Sequence, residues 1–327
     1  MKALYVMDKD VFGWAFDDET KKEIARLLGE ESAFVTGDYL KANPETIKGI
    51  EVLFTSYGAG ALDYLWPIAD CLKIVFFAGG SVKILIGNNF WNKGIIIANA
   101  GIANDPPVAE FAFAQILLAL KRFFFHSQNY KENKEFKAYE SFGAYKSNVG
   151  IISYGAIAKH LCRLLKNTDI NIHVYSPSLD EKTAALEGMI YSPLDKVFEV
   201  CDVVSLHTPI LSATQKMIKE SHFLSMKQNA AFINTARGGV VDEEGMIAAL
   251  RKRPDITALL DVTTEEPLPS DSALFTLQNV ILTPHIAGAQ YKERNRLGRV
   301  VLEDLTRYLD GEPLRNRVRE QDLTNKA

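Results

Sequence analysis

Cysteine is scarce in this sequence of 327 residues, which contains only Cys71, Cys162 and Cys201. The three are far apart, they form no C-x-x-C pair, and each lies among apolar residues. An odd, scattered set is typical of reduced core thiols rather than of a disulfide framework or a cysteine-ligated metal. We therefore expect three buried, unpaired thiols and no metal site.

A surplus of one charge is also lacking, since 37 Lys and Arg face 41 Asp and Glu, for a net charge of −4. This balance gives no indication of nucleic-acid binding. No stretch approaches the ~18 uncharged apolar residues that a membrane span needs. The opening MKALYVM runs directly into Asp8, Lys9 and Asp10, which leaves no secretory core. The sequence predicts a cytoplasmic protein without a nucleic-acid or membrane partner.

Short apolar runs alternate with helical patterns along the whole chain. A first series comprises ALYVM, SAFVT, EVLFTS, KIVFFA and IIIANA, and a second comprises NVGIIS, NIHVYS, VVSLH, AAFINT, TALLD and VILTP. Such alternation predicts parallel sheets joined by helical crossovers, and the length favours two domains. The fold class expected is therefore α/β with two doubly wound parallel sheets.

Three segments indicate how these domains are organised. The apolar stretch from Pro106 to Phe125 predicts a helix buried on several sides that contributes to a homodimer. The polar and aromatic stretch 126–148 is expected to be an interdomain loop or a dimer arm. An amphipathic helix ending at Gly311 is expected to return to the first domain, and the charged tail from Arg315 is expected to fray. We predict a discontinuous substrate-binding domain of residues 1–100 plus 289–327 and a dinucleotide-binding domain of residues 101–288.

A partial dinucleotide fingerprint follows NVGII, in the form Ser153-x-Gly155-x-x-Ala158. Gly155 lets the backbone approach a pyrophosphate, and Ala158 lets the following helix pack on the strand, whereas Ser153 departs from the usual glycine. An ordinary strand–helix turn is the alternative interpretation of Gly155 alone. The predicted cofactor contacts of this turn are Ser153, Tyr154, Gly155, Ala156 and Ile157.

Ser176 stands at the end of the next predicted strand, where an NAD site normally has an acid. Serine would not repel the 2′-phosphate of NADP, and Lys182 is a candidate phosphate partner. The cofactor is therefore NAD or NADP, with the alternative that Ser176 merely ends a strand before Pro177.

Single charged or titratable residues follow three apolar runs of the last third: Arg237 in NTARGG, Glu266 in TTEEPL and His285 in TPHIAG. A fixed cation, a carboxylate and an imidazole can bind an anionic carbonyl substrate and move one proton. The other half of a 2-oxo acid/2-hydroxy acid interconversion is a hydride, which a nicotinamide cofactor carries.

With the fingerprint, LHTP, NTARGG, EEPL and TPH in this order, the sequence resembles the D-isomer-specific 2-hydroxyacid dehydrogenase family from KALYV to GEPLRNRV. Glu266 lies 29 residues after Arg237 (266 − 237), and His285 lies 19 residues after Glu266 (285 − 266). The resemblance implies two Rossmann-like domains with the active site in the cleft between them. It also implies that the C-terminal helix completes the first domain.

The resemblance assigns roles to the three residues. His285 matches the proton donor and acceptor, and Glu266 matches the carboxylate that pairs with it, although the adjacent Glu265 is a rival. Arg237 matches the arginine that binds the substrate. The alternatives are a capping or core histidine for His285 and a surface salt bridge for Arg237.

Further contacts follow from the same resemblance. Asp261 matches the aspartate that accepts from the nicotinamide carboxamide, with a helix N-cap as the alternative. The remaining cofactor contacts implied are His207, Thr208, Pro209, Thr214, Thr235, Ala236 and His285. The substrate loop corresponds to Gly79, Gly80 and Ser81, although Lys83 stands where the family often has an acid; Tyr57 is expected to line the pocket or to pack in the core.

We therefore expect an NAD(P)-dependent oxidoreductase that interconverts a 2-oxo acid and its D-2-hydroxy acid. The alternative from another functional class is a nucleotide-sensing protein on the same fold, like the family's corepressors, because those proteins can retain the three residues.

Overall fold

A computed structural model of the chain describes residues 1–87 and 89–324. Its strands, in chain order, are β1 (Ala3–Val6), β2 (Ala33–Val35), β3 (Val52–Thr55), β4 (Ile74–Phe77), β5 (Ile96–Asn99), β6 (Asn148–Ile152), β7 (Asn171–Tyr175), β8 (Ile190–Tyr191), β9 (Val203–Leu206), β10 (Ala231–Asn234), β11 (Thr257–Leu260), β12 (Val280–Leu282) and β13 (Arg317–Val318). Its α-helices are α1 (Lys9–Ala15), α2 (Asp18–Leu28), α3 (Gly37–Ala42), α4 (Lys83–Ile86), α5 (Asp105–Leu120), α6 (Phe123–Asn133), α7 (Ala156–Leu165), α8 (Glu181–Leu186), α9 (Leu194–Val200), α10 (Glu220–Ser225), α11 (Glu243–Lys252) and α12 (Asn295–Leu309).

The chain divides into two units, Met1–Asn104 with Ala289–Ala327, and Asp105–Gly288. The first unit continues four residues beyond the expected boundary at residue 100 (104 − 100). The reason is a short 3-10 turn, Gly101–Asn104, whose Ala103 is buried in the core of the first unit. Asn88 and residues 325–327, which the predicted first domain includes, lie outside the described residues.

The first unit contains a six-stranded sheet among its described residues, in the order β13-β5-β4-β3-β1-β2. Strands β1 to β5 are parallel, and β13 is antiparallel to β5, with Val318 opposite Ile97. The expectation that the tail frays from Arg315 is wrong for β13, because the Val318 side chain is buried in the core of this unit.

Aromatic side chains on neighbouring strands form the centre of the first core. Tyr5 lies opposite Phe54, and Phe54 lies opposite Phe76, so that their rings stack across the sheet at 4.8 and 5.6 Å. Leu297 and Val301 of α12 are buried in the same core. The C-terminal helix therefore completes the first unit.

The second unit contains a seven-stranded parallel sheet, again counting described residues, in the order β12-β11-β10-β9-β6-β7-β8. Its central strands are apolar and buried on both faces, as parallel strands covered by helices usually are. Strand β6 pairs with both β7 and β9, so the strand order reverses at β6. Two parallel sheets with helices confirm the predicted fold class.

The apolar segment of the second unit differs from the prediction of one helix between Pro106 and Phe125. Helix α5 ends at Leu120, and Arg122 adopts a left-handed conformation (φ 50°) that breaks the helix before α6 begins. One side of α5 is buried through residues such as Ala112 and Ile116, but Leu118 is 38% exposed. The predicted loop or arm is helical in its first part and has no regular structure over most of residues 134–147.

The thiols differ from the prediction at one position. Cys162 and Cys201 are buried, whereas Cys71 is exposed because it lies in a turn before β4. None of the described helices combines the length and the apolar character that crossing a bilayer requires.

Candidate active site

The predicted residues of the second unit follow the carboxyl ends of its strands. Ser153 follows β6, Ser176 follows β7, His207 follows β9, Thr235 follows β10 and Asp261 follows β11. Because these strands are parallel, their carboxyl ends meet at one edge of the sheet. This edge, at a reversal of strand order, is where doubly wound sheets bind their ligands.

The turn between β6 and α7 fits a phosphate group. Ser153 adopts the left-handed conformation (φ 80°) that glycine favours, and its N–H donates to the Tyr175 carbonyl at 2.7 Å. Gly155 is the N-cap of α7, has no side-chain cap, and would direct a Cβ into open space. The first N–H groups of the ten-residue α7 are therefore uncapped by any side chain, as an anion site at a helix N-terminus requires. Ala158 is buried against the core, as the fingerprint needs.

The first residue after β7 is Ser176, where an NAD site normally has an acidic residue. Ser176 is buried, and its Oγ lies 3.0 Å from Oγ of Ser178. The nearest downstream acid, Asp180, caps α8 by accepting from the Thr183 N–H at 2.6 Å, which lowers the pKa of its carboxyl. Lys182 is exposed.

The loop after β9 contains a second histidine. Nε2 of His207 lies 2.9 Å from Oγ of the buried Ser205. Burial lowers the pKa of the His207 ring to about 4. Thr214 closes the same loop, accepting from the Leu211 N–H at 2.8 Å and donating to the Pro209 carbonyl at 2.7 Å. His207 is thus a neutral group at neutral pH.

His285 pairs with Glu266. The imidazole Nδ1 lies 2.8 Å from Oε2 of Glu266, and Oε1 of the same carboxylate accepts from the Thr263 N–H at 3.2 Å. The backbone carbonyl of the rival Glu265 accepts from the Thr263 hydroxyl at 2.7 Å, and within the described residues its carboxylate forms no ion pair with His285. With Nδ1 directed to the carboxylate, Nε2 of His285 has no hydrogen-bond partner among the described residues.

Asp261 holds the loop that carries His285. Its buried carboxylate accepts from the Thr283 hydroxyl at 2.6 Å and from the Ile286 and Ala287 N–H groups, both at 2.9 Å. The His285 N–H donates to the Asp261 carbonyl at 2.9 Å. Asp261 is therefore not a helix N-cap. Sequence reasoning missed this role of Asp261. The Thr283 hydroxyl, two residues before His285, is a local signal of it, since it is one of the donors to Asp261.

Arg237 follows β10 in an exposed loop. Its Nη1 donates to the Ala236 carbonyl at 2.6 Å, and Asn234 braces the turn by donating to the Arg237 carbonyl at 3.1 Å. Within the described residues no carboxylate lies at ion-pair distance from Arg237. The guanidinium therefore retains donors for an anionic ligand. Thr235 beside it is buried, and its Oγ1 has no hydrogen-bond partner in the described chain.

The Arg237 and Glu266 loops contact each other through Gly238. A Cβ on Gly238 would lie 1.9 Å from the Thr263 carbonyl carbon, so only glycine lets the two backbones approach. Glu243 adds a brace by accepting from the Thr264 N–H at 2.8 Å. The fold thus joins the loops of all three predicted catalytic residues.

The predicted substrate loop lies in the first unit, after β4. The Gly79 N–H is already bonded to the Phe77 carbonyl at 2.8 Å, whereas those of Gly80 and Ser81 make no hydrogen bond within the described residues. A Cβ on Gly80 would meet open space. Asn99 donates to the Gly80 carbonyl at 2.6 Å and so fixes the loop, a role that sequence reasoning missed. Tyr57 is not in the core, since 48% of its surface is exposed.

Residues 113–287 match the NAD-binding domain of the D-isomer-specific 2-hydroxyacid dehydrogenases. The chain belongs to this family. The uncapped turn at Gly155 and the unpartnered Thr235 hydroxyl at the same sheet edge both fit the NAD that the family's domain binds.

Family members with known names cover much of the chain. The D-3-phosphoglycerate dehydrogenase of Methanocaldococcus jannaschii is 32% identical over 91% of this chain and 58% of its own length. The glyoxylate reductase of Korarchaeum cryptofilum is 33% identical over 70% of each chain. The present chain thus spans little more than half the length of the first of these relatives.

Solved structures share the fold. The D-isomer-specific 2-hydroxyacid dehydrogenase of Lactobacillus delbrueckii ssp. bulgaricus, in its NAD-complexed form, has a TM-score of 0.81 over 98% of this chain and all of its own, at 19% identity. The D-mandelate dehydrogenase of Rhodotorula graminis has a TM-score of 0.80, with 98% of each chain covered and 21% identity. At these identities the likeness concerns the fold alone.

Proposed function

We propose that this protein catalyses the reversible reduction of a 2-oxo acid to its D-2-hydroxy acid with NADH or NADPH. The observation that carries the proposal is the 2.8 Å pairing of His285 with Glu266, on a loop that meets the Arg237 loop in an NAD-binding domain. A bound nicotinamide would supply the hydride in one direction and take it up in the other.

Arg237 is the proposed anion clamp. Its exposed guanidinium has no carboxylate partner among the described side chains, and a planar fork of donors suits a substrate carboxylate or carbonyl oxygen. Charge that develops on the carbonyl oxygen during reduction would be stabilised by the same group.

His285 is the proposed proton donor for reduction and acceptor for oxidation. Since Glu266 receives the Nδ1 hydrogen, the tautomer is fixed and Nε2 is the atom that exchanges the proton with the substrate oxygen. Asp261 and Glu266 together hold the loop and the ring, so the imidazole is positioned before a substrate binds.

The free N–H groups of Gly80 and Ser81 are the proposed partners of the substrate carboxylate. Neighbouring N–H groups in a glycine-containing turn form a site for an anion, and the open space at Gly80 allows a close approach. The names of the two relatives, a phosphoglycerate dehydrogenase and a glyoxylate reductase, are in keeping with a 2-oxo or 2-hydroxy acid.

We also propose a cytoplasmic homodimer. Leu118 of α5 and Phe123 of α6 are 38% and 48% exposed, and a groove of about 390 Å³ lined by Phe124, Leu250 and Pro254 lies beside α6. Exposed apolar side chains on neighbouring helices are typical of an interface between copies. The free cysteines suit a reducing compartment.

The decisive experiment measures NADH and NADPH oxidation with a panel of 2-oxo acids, together with calorimetric binding of each cofactor. Turnover of at least one acid to the D-hydroxy product is expected. Cofactor binding without turnover of any 2-oxo acid would contradict the proposal and would favour the nucleotide-sensing alternative.

A further inference from the structure

We propose that Tyr57 and Trp14 form the pocket for the side chain of the substrate, and that this side chain is bulky, neutral and apolar, as in an aromatic 2-oxo acid. The inference rests on the proposed function, because it takes Gly80 and Ser81 as the partners of the substrate carboxylate. Trp14 belongs to none of the sequence motifs that indicated the activity.

Both rings lie at the carboxyl edge of the first sheet. Tyr57 follows β3, Trp14 is in α1 directly after β1, and Gly80 follows β4. Strands β1, β3 and β4 are adjacent and parallel, so their following loops lie side by side.

Tyr57 is in direct contact with the proposed carboxylate loop. A Cβ on Gly79 would lie 3.3 Å from Cζ of Tyr57 and 2.6 Å from the ring of Phe77, so glycine is needed for these rings to lie there. The Tyr57 and Phe77 rings meet edge to face at 5.9 Å. A substrate whose carboxylate bonds to Gly80 therefore has the exposed half of Tyr57 beside its remaining atoms.

Trp14 adds a second aromatic ring next to Tyr57. Its ring centroid lies 6.5 Å from that of Tyr57, a distance within the range of interacting aromatic pairs. The Arg294 guanidinium lies 4.7 Å from the Trp14 ring, and it is held by bonds to the Ala289 carbonyl (3.2 Å) and to Oε1 of Gln290 (3.1 Å). The Trp14 indole is therefore stacked against a guanidinium that is itself held in place, which restricts the movement of the ring.

The charge beside the pocket disfavours a second anionic group on the substrate. The Asp8 carboxylate lies against Gly58, close enough that a Cβ there would overlap it, and the Asp8 N–H donates to the Tyr57 carbonyl at 3.2 Å. Asp10 lies in the first turn of α1. A phosphate or a second carboxylate at the Tyr57 end of the pocket would meet this negative charge, because the Arg294 cation lies at the other ring, Trp14. A neutral ring beside Tyr57 avoids this repulsion.

The exposed surface of Tyr57 disfavours the smallest substrate. Glyoxylate has no side chain, so it would leave the Tyr57 ring in water. An aromatic side chain would remove apolar surface of both rings from water and would contribute binding energy that a small acid lacks.

The test compares kcat/KM for glyoxylate, 2-oxoglutarate, phenylpyruvate and 4-methyl-2-oxopentanoate with the full chain and its preferred cofactor. We expect the two bulky neutral acids to exceed both glyoxylate and 2-oxoglutarate by about tenfold or more. A preference for glyoxylate or for the dicarboxylate would overturn the inference while leaving the proposed function intact. Turnover of none of the four acids would instead contradict the proposed function.

Variants locate the preference in this pocket. Tyr57→Ala and Trp14→Ala should each lower the ratio of phenylpyruvate to glyoxylate efficiency by about tenfold, mainly through KM, and Tyr57→Phe should restore it. Trp91→Ala is the matched control, because Trp91 is also half-buried but precedes β5 at the opposite edge of the sheet. An equal fall of the ratio in Trp91→Ala, or no fall in Tyr57→Ala, would contradict the assignment.

Discussion

Glu265 and Glu266 are adjacent and chemically identical, yet only one of them contacts the imidazole. Glu266 lies 2.8 Å from Nδ1 of His285, while the Thr263 hydroxyl bonds to the backbone of Glu265 and thereby fixes the turn. The choice between the two carboxylates depends on the turn geometry. The family resemblance favours Glu266, which precedes Pro267, and leaves Glu265 as a rival; the folded loop pairs Glu266 with His285.

Glu266→Gln should lower kcat for ketone reduction by about a hundredfold or more. The amide can donate to Nδ1 as well as accept from it, so the His285 tautomer is no longer fixed. Steady-state kinetics of Glu265→Gln provides the matched control, in which kcat should change little. Similar losses of kcat in the two variants would contradict the prediction, because they would show that activity depends on the structure of the loop rather than on the pairing of Glu266 with His285.

His207 predicts an acid-sensitive contribution to stability. Burial lowers its pKa from 6.5 to about 4, so between these values the unfolded chain binds a proton that the folded chain does not. The stabilisation is therefore present above about pH 6.5 and is lost as the pH falls toward 4. The difference between a pKa of 6.5 in the unfolded chain and about 4 in the folded chain corresponds to a contribution of ~3 kcal/mol to the free energy of unfolding.

Urea unfolding at pH 7 and pH 4.5 checks this contribution. The wild-type protein should lose about 2 to 3 kcal/mol more between these pH values than His207→Gln. His126→Gln serves as the control, since the His126 ring is only partly buried and its hydrogen bond to Ser141 is exposed to solvent. Equal pH dependence in the wild-type protein and in His207→Gln would contradict the prediction.

A contact between two loops, rather than between two side chains, connects Arg237 to Glu266. Gly238 packs against the backbone of Thr263, three residues before Glu266, and Glu243 of α11 holds the next residue, Thr264. The relative position of these loops therefore depends on a backbone contact that tolerates no Cβ.

Gly238→Ala should reduce activity strongly and lower the free energy of unfolding by roughly 1 to 3 kcal/mol, because the new methyl group would overlap backbone atoms. Gly239→Ala is the matched control. Its Cβ would meet only the Cδ1 end of Ile210, whose side chain is 37% exposed and can rotate. Kinetics and chemical denaturation of both variants test the difference, and a Gly238→Ala protein with normal activity would refute it.

The loop after β7 predicts weak discrimination between cofactors. With Ser176 in place of an acid, nothing at this position repels a 2′-phosphate, so NADPH should bind within about tenfold of NADH, or ~1.4 kcal/mol. Ser176→Asp should weaken NADPH binding far more than NADH binding in a fluorescence titration. A wild-type preference for NADH above a thousandfold would indicate that another group, such as Glu181, has the role of the missing acid.

The whole molecule is expected to be a dimer of about 73 kDa (2 × 36.5) in light scattering. Leu118→Glu should shift it toward the monomer, because a charge in an apolar interface is costly to bury. Leu186→Glu is the control, since Leu186 of α8 is 80% exposed and lies outside the predicted interface. A wild-type mass near 36.5 kDa at micromolar concentration would contradict the prediction.

Most of this architecture could be predicted from the sequence, because parallel strands buried on both faces appear as continuous apolar runs. All the strands expected from such runs are found. The strands β8 and β13 were missed because two residues give no pattern, and β13 is fixed by the distant β5. The break at Arg122 was missed because arginine rarely adopts a positive φ.

The catalytic candidates could be found by their spacing, whereas their supports could not. Asp261 binds a loop that begins 22 residues later in the chain, and Asn99 binds a carbonyl 19 residues earlier. Contacts of this kind depend on which strands become neighbours.

The discontinuity of the first unit has a consequence for synthesis on the ribosome. Its core needs α12 and its sheet ends with β13, so the first 104 residues lack their packing partners until the end of the chain has been made. The second unit, Asp105–Gly288, is continuous and contains its own core, so it can fold while translation proceeds. We therefore expect the cofactor-binding half to be native before the half that is proposed to select the substrate.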